Sequence, residues 1–207
     1  MTSFNEDNKR NVAIVLENIL NPENNIPQNI KMRVIREMLW SATADYQSID
    51  DHKYKLPIWS ENAIYFFQEW LNNGNTGLRH EHIFPKNLII NKLTNMQNLN
   101  VDDIYILLHR FAHGAVVTTD EDRYLNNLGL RQAIPENYNP NVLPLEGDYL
   151  ELLFSRYIQA GINLKFVTFQ GNEIMPTDNY YIHNGNVLVN NFINNINFEN
   201  WIMHNGL

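Results

Sequence analysis

The residue types able to do chemistry gather in one stretch, Leu78 to Ile90, which runs L-R-H-E-H-I-F-P-K-N-L-I-I. It sets His80, Glu81 and His82 side by side, and of the seven histidines in the chain only here do two lie within three residues. A neutral imidazole near pH 7 can take a proton from water or ligate a metal, and a carboxylate suits a hard cation. On a strand, residues i and i+2 share a face, so His80 and His82 would point one way and Glu81 the other. Pro85 should end that strand, and Asn87–Leu93 can then form a short helix. The H-x-H spacing by itself suits structural histidines equally well.

A second group lies at Ala115 to Leu130, A-V-V-T-T-D-E-D-R-Y-L-N-N-L-G-L. Val116 and Val117 suit a short strand. Thr119 is a candidate N-cap, with Asp120, Glu121 and Asp122 in a first helical turn, where the macrodipole favours anions. Gly129 is a C′ stop. Asp122 and Asn126, four apart, share a helix face. Whether Asp122 or Glu121 faces the histidines depends on one residue of register. A third grouping is His109 and His113, also at a metal-ligand spacing. Against it, His113 sits beside Gly114 at the end of a helix, where an imidazole satisfies free carbonyls.

The order of a His-bearing strand ending in E-H-I-F-P, a second strand, and a helix carrying a carboxylate and an amide resembles the HNH nucleases of the ββα-metal fold. The resemblance covers Leu78 to Pro135. It implies hydrolysis of DNA phosphodiesters with one divalent cation, Mg²⁺ or Mn²⁺ first and Zn²⁺ second. It makes His82 the general base and Glu81 a metal ligand, with Asp122 and Asn126 completing the shell. His80 becomes a partner of these residues or replaces Glu81 as ligand. Arg79, Lys86, Arg123 and Arg131 become candidates for phosphate contact. Two features depart from the family: the helix carries no His, and a longer insertion, Asn91 to Phe111, separates the halves.

Composition sets the frame for these elements. The 207 residues are 44% hydrophobic and 18% charged, which is globular. No apolar run approaches the length of a membrane span. The N-terminus lacks a signal-peptide pattern, so a cytoplasmic location is expected. Zero cysteines exclude disulfides and thiolate metal sites. The net charge of −8 counts against nucleic-acid binding, yet six basic residues balance six acidic ones between Leu78 and Pro135. Asparagine is abundant, at 34 residues, without erasing the apolar periodicity.

Periodicity predicts a helix over Asn8–Leu20, a second from Pro27 to about Tyr46, and a third over Glu61–Asn72 capped by Ser60. A fourth is capped by Asn100 and a fifth runs from Gly147 to Ala160, stopped by Gly161. Gln47–Pro57 reads as a loop holding a solvated His52. Leu164–Phe169 alternates as a strand, Gly171-Asn172 is a turn, and Tyr180–Val189 suggests a hairpin across Asn184-Gly185 with His183 beside it. Phe192–Trp201 suits a final strand or short helix. The fold expected is α+β in one domain: a helical part (1–77), a ββα core with a helical insertion (78–135) and an α/β part with a C-terminal helix and hairpin (136–207). Three functions stay open: an HNH-like endonuclease acting on DNA, as monomer or homodimer and without a membrane; a non-catalytic binding protein on a degenerate HNH scaffold; and a different His-ligated metal hydrolase using His80, His82 and His109 or His113.

Overall fold

The computed structural model describes residues 4–43, 56–73, 77–96, 100–140, 143–145, 149–170 and 173–182. The elements run α1 (Phe4–Leu20), a 3-10 turn (Pro22–Asn24), α2 (Gln28–Thr43), β1 (Ile58–Ser60), α3 (Glu61–Asn73) and β2 (Leu78–His82). They continue with α4 (Lys86–Asn95), α5 (Val101–Phe111), β3 (Gly114–Thr118), α6 (Thr119–Asn127), α7 (Leu150–Ala160), β4 (Leu164–Gln170) and β5 (Glu173–Ile182). The fold is α+β, with helices around a mixed five-stranded sheet of order β2-β3-β1-β4-β5. Only the β1–β3 pair is parallel. No helix among the described residues is long and apolar enough to cross a membrane.

Local chemistry explains most boundaries. Asn21 accepts from the Glu23 N–H, Pro22 opens the 3-10 turn and Asn25 closes it in the left-handed region, reversing the chain from α1 into α2. Ser60 caps α3 by accepting from the Ala63 N–H at 3.1 Å, and Asn100 caps α5 by accepting from Asp103 at 2.8 Å. Gly161 ends α7 at φ 64°.

Two strands depart from expectation. β1 is three residues, too short to show a period, and the helical reading of 1–77 passes over it. It nevertheless joins β3 to β4, so strands from all three segments of the chain share one sheet. β5 pairs antiparallel with β4 over Glu173–Ile182, with an irregularity between Lys165 and Val167 near Pro176. An edge strand tolerates that proline, whose missing N–H need not serve a neighbour. The expected hairpin at Asn184-Gly185, the Phe192–Trp201 segment, His52 and His183 all lie outside the described residues.

The sheet has two unequal faces. Ile58, Ala115, Val117 and Leu164 pack into the larger core, with residues of α1, α2, α4, α5, α6 and α7. Trp59, Leu78, Val116 and Val167 pack with Ala63 and Phe67 of α3. β2 runs antiparallel to β3 in the register Leu78↔Thr118 to His82↔Gly114, with α4 and α5 inserted between them, and α6 follows β3 directly.

Candidate functional site

The alternation along β2 decides where its polar residues go. His80 pairs with Val116 and Glu81 with Ala115 across the strand pair. His80 and His82 therefore lie on the face of Trp59 and Val116, and Glu81 on the opposite face. Trp40, near the end of α2, stacks on His80 with ring centroids 4.3 Å apart and meets His82 edge-on at 5.9 Å. The His80 ring is buried between that indole and Gly114, where a Cβ would come within 2.5 Å of His80 Nε2. The residue opposite His82 must therefore be the smallest one, because a neighbouring imidazole fills the space a side chain would take.

On the other face Glu81 meets Arg156 of α7 at 2.6 Å, with the Arg156 side chain fully buried. Burial pushes the Glu81 carboxyl above its ordinary range, Arg156 pulls it back, and the Asp122 charge pushes it further up. Asp122 is thus the acid of α6 whose charge reaches Glu81. Glu121 is committed elsewhere: it accepts from Ser60 Oγ at 2.6 Å, from Asn62 at 3.0 Å and from the Thr118 N–H at 2.8 Å. The N-cap of α6 is Thr118, not the expected Thr119, because only Thr118 stands three residues before Glu121 and can form the reciprocal capping box. The Thr119 N–H instead bonds the Gly77 carbonyl at 2.7 Å. Asn126 is exposed on the outer side of α6.

Although adjacent strand residues point to opposite faces, Glu81 and His82 line the same cleft, because β2 ends at His82 and the chain turns there. The cleft measures about 600 Å³ and is bounded by Arg36 of α2, Pro85, Lys86 and Asn87 at the start of α4, and Arg131 and Gln132 after α6. Asn87 donates to the Gln132 carbonyl at 2.9 Å and ties these walls together. Arg36, Lys86 and Arg131 form no ion pair among the described residues. Among the described residues Glu81 is the only acid lining the cleft. Both His82 ring nitrogens are buried and neither has a hydrogen-bond partner among the described residues. Burial, with the charges of His80, Lys86 and Arg156, lowers its pKa to about 3, so the ring is neutral at physiological pH.

The other expected residues are placed less centrally. Arg79 is exposed on β2 away from the cleft, and Arg123 pairs with Asp120 at 3.1 Å on the surface of α6. The His113 ring bonds the His109 carbonyl at 2.6 Å, which is the helix-end role foreseen as the alternative to a metal site. A second hollow of about 560 Å³ borders Glu61, Asp120 and Glu121, but Glu61 pairs with Lys165, Asp120 with Arg123, and Glu121 is held in its cap.

Among the described residues no group of three or more His, Asp or Glu side chains could hold a metal ion by itself. Among the described residues the cleft itself offers a cation one carboxylate, Glu81, with one oxygen engaged by Arg156; Asp122 does not line it, although its charge reaches Glu81. Sequence reasoning missed Arg156 and Arg36, since a lone arginine in an amphipathic helix gives no sign of whether it is buried, paired or turned to a cleft. No protein-family model matches this chain, and neither a curated protein nor a solved structure matches it significantly.

Proposed function

We propose that the chain is an HNH-like endonuclease that hydrolyses DNA phosphodiester bonds in the cytoplasm, with His82 as general base. The observation that carries this reading is that Glu81 and a neutral His82 line one cleft with three cations, His82 having no hydrogen-bond partner and the cations no ion-pair partner among the described residues. The family resemblance would have Glu81 and Asp122 hold a divalent cation that supplies Lewis-acid charge to the developing oxyanion; of the two, only Glu81 lines the cleft. His82 takes the proton of the attacking water, for which a ring nitrogen, buried and without a hydrogen-bond partner among the described residues, must turn to the cleft. Lys86, Arg131 and Arg36 hold the phosphate group. The negative charge that substrate brings beside the ring raises its proton affinity from the low value of the free site towards the range a general base needs. His80 acts through packing, wedging the strand end between Trp40 and Gly114.

The test is supercoiled plasmid incubated with Mg²⁺, Mn²⁺ or EDTA, beside His82→Ala. Nicking that needs both metal and His82 is the expected result, and equal nicking by the variant removes His82 from the role. One observation favours a second reading, a DNA-binding module that has lost catalysis: Arg156 already neutralises part of Glu81. That reading predicts DNA binding without nicking in any metal.

A further inference from the structure

Helix α7 reads L-E-L-L-F-S-R-Y-I-Q-A, and its arginine, Arg156, is among the largest fully buried side chains of the molecule. A guanidinium taken out of water is costly unless every donor is satisfied. It has five N–H donors in a planar fork, and here five acceptors meet them. Nε donates to the Ile83 carbonyl at 2.8 Å, and Nη1 donates to the Leu130 and Arg131 carbonyls at 3.0 Å each. Nη2 donates to Glu81 Oε1 at 2.6 Å and to the His82 carbonyl. Four of the five are main-chain carbonyls. They belong to two segments, 82–83 at the end of β2 and 130–131 just beyond α6. One segment carries His82 and the other Arg131, and both line the cleft. The fifth acceptor is the only carboxylate lining it among the described residues.

Resting on the nuclease reading for the identity of the ligand, we infer that Arg156 is the positioning residue of the cleft. It fixes the two chain segments that present His82 and Arg131, and it screens the Glu81 carboxylate from an incoming phosphodiester. Both duties come from one side chain, because the guanidinium stands behind Glu81 and between the two segments at once. Lysine keeps the charge but has three donors on a flexible stem, so it can serve the second duty and not the first.

The experiment is binding of a short fluorescein-labelled DNA oligonucleotide in EDTA, with metal-dependent cleavage measured alongside. It uses the full chain, Arg156→Gln, Arg156→Lys, Glu81→Gln and the double variant Glu81→Gln/Arg156→Gln, each checked for native circular dichroism. Arg156→Gln should weaken binding about tenfold, as an unscreened carboxylate meets phosphate. Adding Glu81→Gln should restore binding to within about threefold of Glu81→Gln alone, a rescue that a merely structural arginine does not produce. Arg156→Lys should bind almost normally and lose about a hundredfold in kcat at unchanged KM, as displaced groups do. Unchanged binding in Arg156→Gln, no rescue in the double variant, or wild-type kcat in a folded Arg156→Lys each overturn the inference. If Arg156→Gln does not fold, Arg156→Lys decides. If neither folds, Arg156 is a folding residue and the inference fails. A wild-type chain that cleaves nothing refutes the nuclease reading alone, since the binding arm still reports on Arg156.

Discussion

Gly114→Ala is the substitution whose cost the geometry defines most directly. Its backbone is ordinary extended strand, so the methyl group costs nothing in φ and acts only through space. That methyl would lie 2.5 Å from His80 Nε2 and 2.9 Å from Leu56 Cδ1, where ordinary contacts are 3.4 Å or more. The His80 ring has no easy retreat, because Trp40 stacks on it at 4.3 Å. Either the strand pair spreads or the ring leaves the indole. Overpacking of this kind costs about 1–3 kcal/mol, and losing the stack adds about 0.5–1.5 kcal/mol. A total near 2–3 kcal/mol corresponds to a fall in Tm of roughly 4–12 °C for a chain of this size. Urea melts of wild type, Gly114→Ala, His80→Ala and the double variant give the answer. Removing the ring makes room for the methyl, so the double variant should recover at least about 1 kcal/mol relative to additivity. Gly114→Ala within about 0.5 kcal/mol of wild type, or strict additivity with His80→Ala, would refute the wedge. Nicking should fall in Gly114→Ala as well, because Gly114 pairs directly with His82.

Three further outcomes are expected. Glu121→Ala removes the acceptor of Ser60, Asn62 and the Thr118 N–H at once, and should cost about 2–4 kcal/mol in a urea melt; a loss below about 0.5 kcal/mol contradicts a buried cap. Stability should fall on acidification. His82, His109 and His113 all have folded pKa values below 6.5, near 3 and 4 for the first two. The unfolded chain therefore takes up protons first, so their contribution is whole above pH 6.5 and is lost from there towards pH 4, at up to about 1.4 kcal/mol per pH unit for each group. Glu81, held above its ordinary range, works weakly the other way. A urea midpoint at pH 5 equal to that at pH 7 contradicts the burial of these rings. Lys86→Ala and Arg131→Ala should each weaken DNA binding and reduce the slope of log K against log salt by about 1, whereas Arg123→Ala, already paired with Asp120, should leave the slope unchanged. Equal effects of all three would mean that the cleft is not where phosphate sits.

Much of the frame was legible along the chain. Helix boundaries followed from Ser60, Asn100 and Gly161, where a single side chain or a left-handed glycine closes the helix, and these act over three or four residues. The strand ending before Pro85, the helix after it and the second strand at Val116-Val117 were read in the same way. Neighbouring residue types singled out His80, Glu81 and His82, and six basic residues balance six acidic ones between Leu78 and Pro135 in a chain of net charge −8.

What the tertiary structure alone decided spans longer separations. β1 has three residues and no period, and its place in the sheet depends on strands more than fifty residues away. Glu121 is held in the Thr118 cap and by Ser60, 61 positions away, a commitment that its place in the first turn of α6 does not reveal. Gly114 is explained only by the His80 ring beside it, and Arg36 joins the site only because α2 forms a wall of the cleft. Arg156 lies 75 positions from Glu81. No local pattern reports that five acceptors converge on one guanidinium, because convergence is a property of packing and not of spacing along a chain.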